Sequence, residues 1–209
     1  MTDTWPSTPD EALRFLLDGN ERFVTGHAEH PNQDAERREE SVNVQRPFAV
    51  LFGCSDSRVA AEIIFDRGLG DLFVVRTAGH LVGDEVMASI DYAVAVLDTP
   101  LVVVLSHDSC GAVGAALEAH ESGVTPPGNL RHIVERITPE ILAARSQGIT
   151  DRDEIAKLNG RSTARQILAE SALVRERVLD GGCGVAVLAY RLVDGRTNLV
   201  ASHGLGVGA

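Results

Sequence analysis

A chain of 209 residues is long enough for one α/β domain with a sizeable core. Hydrophobic residues at 44% and charged residues at 23% are ordinary for a globular protein, while aromatics at 4% leave the core to Val, Leu, Ala and Ile. A formal net charge of −11 argues against nucleic acid and anionic membrane as partners, because both need a basic face.

Residues 1–10 are polar and acidic, with neither a basic start nor an apolar segment, so no signal peptide is expected. Thr8-Pro9-Asp10-Glu11 then opens a helix, with an N-cap, a proline at the first helical position and a glutamate three residues after the cap. Leu13, Leu16, Leu17, Phe23 and Val24 share one face of it, and Gly26 is a plausible stop. Such a helix cannot bury its apolar face alone, so it must pack on the main body or on a second subunit. Residues 27–44 are charged and polar and read as an exposed connection. The expected organisation is a helical arm over 1–45 followed by an α/β unit over 46–209, together forming one structural unit.

From residue 48 the pattern changes. Residues 48–52, 72–75, 101–105 and 185–188 are short, continuous apolar runs, which suits strands covered on both faces. Helical periodicity lies between them over 84–97, 111–121 and 151–179. Residues 125–128, Thr-Pro-Pro-Gly, form a loop. After the turn Asp194-Gly195, residues 196–201 read as a hairpin edge strand. The sum is an α/β fold: an open, mostly parallel β-sheet flanked by helices, with an N-terminal helical arm and a C-terminal edge strand. None of the apolar runs is long enough to span a bilayer.

Two strands end in unusual residues. The first leads into Gly53-Cys54-Ser55-Asp56-Ser57-Arg58, and the third into Ser106-His107-Asp108-Ser109-Cys110-Gly111. Ligands of open parallel sheets bind beyond the carboxyl ends of strands, so the two loops can meet. Cys54, His107 and Cys110 supply two sulfurs and one imidazole, a set zinc accepts tetrahedrally with its fourth position open. Either loop alone also suits small buried thiols and a hydrogen-bonded core histidine. Three cysteines cannot all pair within one chain, and a reducing, cytoplasmic compartment fits them. Cys183, within Gly181-Gly182-Cys183-Gly184, reads as an incidental thiol at a turn, and His80 has no role assignable from sequence.

Cys-Ser-Asp-Ser-Arg followed about fifty residues later by His-x-x-Cys-Gly resembles the β-class carbonic anhydrases. The stretch from Val74 to Gly79 and the stretch from Ile90 to Val94 resemble flanking segments of that family, although many members carry Asn in place of Thr77. The resemblance implies one zinc per subunit on Cys54, His107 and Cys110. It implies reversible hydration of carbon dioxide to bicarbonate and a proton by zinc-bound hydroxide, oriented by an Asp56–Arg58 pair. It implies substrate contacts from Gln45, Phe73, Tyr92 and the Gly111 N–H, and self-association as a homodimer or homotetramer, with Gln45 serving the neighbouring subunit. Some members let the equivalent of Asp56 ligate zinc and carry a tryptophan where this chain has Leu51. Arg76 and Tyr190 match the rest of that regulatory pocket, so the set is incomplete and an open resting site is expected. Alternatives on the same fold are a carbonyl sulfide or carbon disulfide hydrolase, or a zinc protein without turnover.

Overall fold

The computed structural model describes residues 5–206; residues 1–4 of the polar start and 207–209 of the expected α/β unit lie outside the described residues. Five strands are seen among them: β1 (Ala49–Cys54), β2 (Leu72–Thr77), β3 (Leu101–His107), β4 (Gly184–Tyr190) and β5 (Thr197–His203). The helices are α1 (Pro9–Thr25), α2 (Ala35–Glu40), α3 (Ala61–Ile64), α4 (Asp84–Ala95), α5 (Gly111–Ser122), α6 (Leu130–Ser146), α7 (Arg152–Glu170) and α8 (Ala172–Leu179). A single 3-10 turn, Ala78–His80, follows β2. None of these helices is long and apolar enough to cross a membrane.

The strands lie in the order β2-β1-β3-β4-β5. The first four run parallel, and β5 returns antiparallel to β4. This is the α/β, open and mostly parallel sheet that the apolar runs imply. Strands β1, β3 and β4 are buried along their whole length, as helices on both faces require. Strand β2 is also apolar but only half buried, because it is an edge. The chain leaves β1 towards β2 on one side and returns to β3 on the other. The carboxyl ends of β1 and β3 therefore flank the point where the strand order reverses, and a crevice opens there in such sheets.

Helix α1 starts in the expected capping box, with reciprocal bonds between Thr8 and Glu11, and stops at Gly26 in the left-handed region. Its apolar face packs on its own chain: Ala12, Leu13 and Leu16 join Phe48, Leu51, Leu105 and Tyr190. Buried Asn20 fastens it there. Its amide donates to the carbonyls of Ile64 and Gly195, and its oxygen accepts from the Thr197 N–H and hydroxyl. All four hydrogen-bonding positions of that side chain are used, so its burial carries little cost. The opposite face of the sheet is covered by α4, α7 and α8 through Val86, Ile90, Ala164, Ile167 and Val174. Helix α7 comes close to β3 because Gly160 has no side chain; a Cβ there would lie 3.2 Å from that of Ser106.

Three expectations need correction. The periodic stretch 151–179 is two helices, because Ser171 turns extended and its hydroxyl caps the Val174 N–H. The connection 27–44 contains α2, a six-residue helix with no buried residue. Helix α6 was not anticipated: Pro139 interrupts a polar stretch, although Val134, Ile137, Ile141 and Ala144 form a buried helical stripe. Cys183 directly follows the expected turn at Gly181 and Gly182, and it is fully buried against the core immediately before β4.

Candidate metal centre

Cys54 ends β1, His107 ends β3, and Cys110 stands immediately before α5. Strand pairing, with Gly53 opposite Leu105, brings the first two to within one residue of level across the switch point, and the two residues after His107 curl Cys110 back towards them. Ser109 supports that curl in the left-handed region, at φ 51°. The ligand atoms of Cys54, His107 and Cys110 all lie within 4.8 Å of one another, and all three residues are buried.

Their hydrogen bonds leave the donors facing inward. His107 Nδ1 is 2.8 Å from the Asp108 carbonyl, an acceptor that fixes the proton on Nδ1 and the lone pair on Nε2. His107 Nε2 is buried with no hydrogen-bond partner. Leaving such an atom unsatisfied costs about 1–3 kcal/mol, unless a ligand takes its lone pair. Cys54 Sγ accepts a hydrogen bond from the Gly79 N–H at 3.3 Å. The Cys110 thiol, hydrogen-bonded to Cys54, draws the Cys54 pKa far down, and the same bond together with burial pushes Cys110 up. Burial works against protonation of His107, but the neighbouring Cys54 sulfur, negative once ionised, outweighs it and raises its pKa. Thiols that bind a divalent cation give up their protons to do so, and two sulfurs this close to each other and to an imidazole can bind one together. Two sulfurs and one nitrogen suit zinc, with a fourth position left for a small ligand.

Asp56 and Arg58 sit in the loop leaving β1. Arg58 Nε donates to Asp56 Oδ1 at 2.9 Å and Nη2 to Oδ2 at 2.7 Å, a two-pronged clamp. The Arg58 backbone N–H adds a third bond to Oδ1 at 2.9 Å. The arginine holds the Asp56 carboxyl well below the usual range, against the opposing effect of burial. Arg58 Nη2 also reaches the Ser109 carbonyl at 3.5 Å, tying the two loops together.

Other braces could not be read from sequence. Arg76 on β2 donates to the carbonyls of Cys54 at 2.9 Å and Asp56 at 2.6 Å. At the start of α7, Asp153 accepts from the Ser109 N–H at 2.8 Å, and Arg152 donates to the Cys110 carbonyl. Their one local signal was the Asp151 N-cap, which marks a helix start but not its neighbour. His80 is sealed beneath the site against Phe52, and burial lowers its pKa to about 4, so it is neutral at pH 7. Tyr190 lines a cavity of about 160 Å³ beside His107, together with Asp108, Lys157 and Arg191.

Gly111 is the first residue of α5, and a Cβ there would meet nothing within 4 Å. The residue is exposed. Gln45, Phe73 and Tyr92 lie elsewhere. Phe73 pairs with Val50, whereas Cys54 pairs with Thr77, four residues further along β2. At a strand rise of about 3.3 Å per residue, these levels are about 13 Å apart. Tyr92 stacks obliquely on Phe73 with ring centres 6.3 Å apart. Gln45 precedes β1 and lines an exposed groove with Val42, Val44 and Leu69. Within one chain, these three residues belong to the amino end of the strands and the cluster to the carboxyl end.

Residues 49–197 match the family profile described as carbonic anhydrase. The chain is 49% identical over 195 residues to carbonic anhydrase 2 of Mycobacterium tuberculosis, covering 93% of this chain and 94% of that one. It is 50% identical over 193 residues to a carbonic anhydrase of Mycolicibacterium smegmatis, covering 92% and 94%. Its structure is similar to a tetrameric β-carbonic anhydrase from Sordaria macrospora, with TM-score 0.72 and 25% identity over 94% of this chain and 98% of that one. It is also similar to the Coccomyxa β-carbonic anhydrase in complex with acetazolamide, with TM-score 0.70 and 25% identity over 88% and 84%.

Proposed function

The chain belongs to the β-class carbonic anhydrases, and we propose that it interconverts carbon dioxide and bicarbonate with one zinc ion per subunit, held by Cys54, His107 and Cys110. The observation that carries this reading is the buried Cys54–His107–Cys110 cluster, whose imidazole Nε2 has no protein partner. Bound there, zinc supplies a Lewis acid that lets water act as a nucleophile near neutral pH.

The protein's own part is orientation. Asp56, clamped along one edge by Arg58, keeps its charge and offers a carboxylate oxygen to the proton of the attacking water. Its engagement with Arg58 leaves the fourth position of the cluster to substrate, which supports an open resting site. Leu51, where a regulatory tryptophan would stand, supports the same reading, and Arg76 is occupied with backbone carbonyls. The Gly111 N–H, at the positive end of α5, can receive an oxygen of bicarbonate.

Gln45, Phe73 and Tyr92 contact substrate from the neighbouring subunit of a homodimer or homotetramer. Two observations support this assembly. The Sordaria relative is described as tetrameric. Val42, Val44, Tyr92 and Val96 are exposed apolar side chains on this chain. Helix α1 and the connection after it, residues 1–45, serve as an arm clasping the catalytic unit 46–209. Three free cysteines suit a reducing compartment such as the cytoplasm.

Stopped-flow hydration of carbon dioxide tests the proposal on the wild type, a chelator-stripped sample and Asp56→Ala. Fast turnover that needs zinc is expected. A fully zinc-loaded wild type that hydrates no carbon dioxide between about pH 6.5 and 9, bracketing a zinc-water pKa near ~7, would overturn it. The sulfur analogues of carbon dioxide would then be assayed.

A further inference from the structure

Helix α7 carries two buried polar residues that the reaction does not use. Asn159 and Thr163 lie one helical turn apart, 4% and 6% exposed, facing the turn after β2. Asn159 Nδ2 lies 3.2 Å from the Gly79 carbonyl, to which it donates, and 3.3 Å from His80 Nδ1. Thr163 Oγ1 lies 3.4 Å from the same ring nitrogen. Two donors on Nδ1 leave that atom as an acceptor.

The turn they grip is an unusual one. Gly79 and His80 are successive residues in the left-handed region, at φ 69° and 45°. A buried non-glycine residue persists there only where its surroundings hold it. The turn is also wedged tightly, since a Cβ on Gly79 would lie 2.8 Å from that of Ala112 on α5 and 3.2 Å from Ile137 on α6. Packing therefore confines the Gly79 backbone, the bond from Asn159 holds its carbonyl, and the bonds to Nδ1 hold the ring of the residue that follows. In that conformation the Gly79 N–H lies 3.3 Å from Cys54 Sγ.

We propose that Asn159 and Thr163 are positioning residues for the metal centre, holding the Gly79–His80 turn so that the Gly79 N–H donates to the Cys54 sulfur. The inference rests on Cys54 being a zinc ligand. A hydrogen bond to a ligating sulfur withdraws electron density from it and fixes where its lone pair points. Asn159 would thereby act on the zinc through three links: its own amide, the Gly79 backbone and the Cys54 sulfur. A purely structural role predicts a loss of stability alone. A positioning role predicts an altered metal–sulfur bond in a protein that remains folded.

The test uses the full chain with Asn159→Leu, Thr163→Val and Thr163→Ser. Zinc affinity is measured by chelator competition, the thiolate-to-metal absorption band on the cobalt-substituted protein, and folding by thermal melts. Asn159→Leu is expected to weaken zinc about tenfold or more and to shift the cobalt band. Thr163→Val should do the same to a smaller extent, and Thr163→Ser, which keeps the hydroxyl, should restore both. Folded Asn159→Leu with zinc affinity within about twofold of wild type, below the usual range for such partners, and an unmoved band would overturn the proposal. Should Asn159→Leu not fold, the two Thr163 variants decide: a Val variant indistinguishable from wild type overturns it, and a shifted Val with a restored Ser supports it. Cys54→Ser keeps the two levels apart. A wild-type cobalt band that this substitution does not alter removes the ligand reading itself, and this inference with it.

Discussion

Two aspartates ten residues apart each bind an arginine, yet their settings differ. Asp56, in the loop after β1, takes both oxygens to Arg58, whose side chain is 53% exposed. Asp66, just beyond α3, has a side chain with no exposure, and its oxygens accept from Arg22 Nε, the Glu29 N–H and the His30 N–H. Asp71 does similar work nearby, accepting from Asn32 and the Gly68 N–H. The carboxylates at 66 and 71 pin the arm to the body. Asp56 keeps 16% of its side chain exposed. Each carboxylate accepts three hydrogen bonds. One sealed from solvent is a fastener, whereas one that keeps part of its surface open can still accept a proton from something else. Neither the ion pair nor the number of donors distinguishes these cases; exposure does.

The sharpest way to break that contrast is to remove each carboxylate in turn. Asp56→Ala is expected to lower kcat/KM for carbon dioxide hydration about a hundredfold or more, with a melting temperature close to wild type. Asp66→Ala should do the reverse. It strands Arg22 and two backbone N–H groups, and unfolding in urea should report a loss of about 3 kcal/mol, while turnover per folded molecule is retained. Equal effects of both substitutions on stability would erase the distinction.

Acid gives a smaller and graded effect. Burial alone would raise the Asp66 pKa, but its three hydrogen bonds bring it below the ordinary value of 3.8. A folded pKa below the unfolded one contributes stability that is complete above about pH 4 and is lost as pH falls through the folded value. The arm should therefore loosen below that point. Trp5, the single tryptophan, rests edge-on to Phe48 with ring centres 5.6 Å apart and reports this through its emission. In Asp66→Ala the emission should already be that of a loosened arm at neutral pH. The smallest change expected is Arg22→Gln, which removes one of three donors and should cost about 1 kcal/mol in the same urea experiment, with activity unaltered.

Much of the architecture is legible because burial on two faces leaves a signature in the chain. The runs that became β1, β3 and β4 are continuous and apolar, and β2 has the same composition although it is a half-buried edge. No property of residues 72–75 alone distinguishes edge from centre, since that depends on what pairs with the far side. Helix α6 escaped notice because Pro139 and a polar surface obscured a stripe of four buried residues. The break at Ser171 did have a local cause, a serine able to cap the next helix, but uninterrupted periodicity on both sides concealed it.

At the site, residue type and spacing singled out Cys54, His107 and Cys110, because two sulfurs and an imidazole at strand ends have few other uses together, and the family resemblance added Asp56 and Arg58. The same resemblance grouped Gln45, Phe73 and Tyr92 with them, and here the fold adds something the chain order hides. Register sets those three at the opposite end of the strands from the cluster within one chain. Asn159, Arg152 and Asp153 gave no warning, being ordinary members of an amphipathic helix until α7 is laid against β3.

The chemistry available to this protein was thus determined by sequence: which side chains can bind a soft cation, which carboxylate can stay charged, and which segments become strands and helices. These are local properties, set by functional groups and by periodicities of a few residues. Tertiary structure alone decided that two strand ends meet at the reversal of strand order, that Arg58 bridges both loops, and that a turn gripped by α7 aims an N–H at Cys54. Those facts depend on strand order, register and helix docking, which are set by burial between segments far apart in the chain and leave no mark on any one of them.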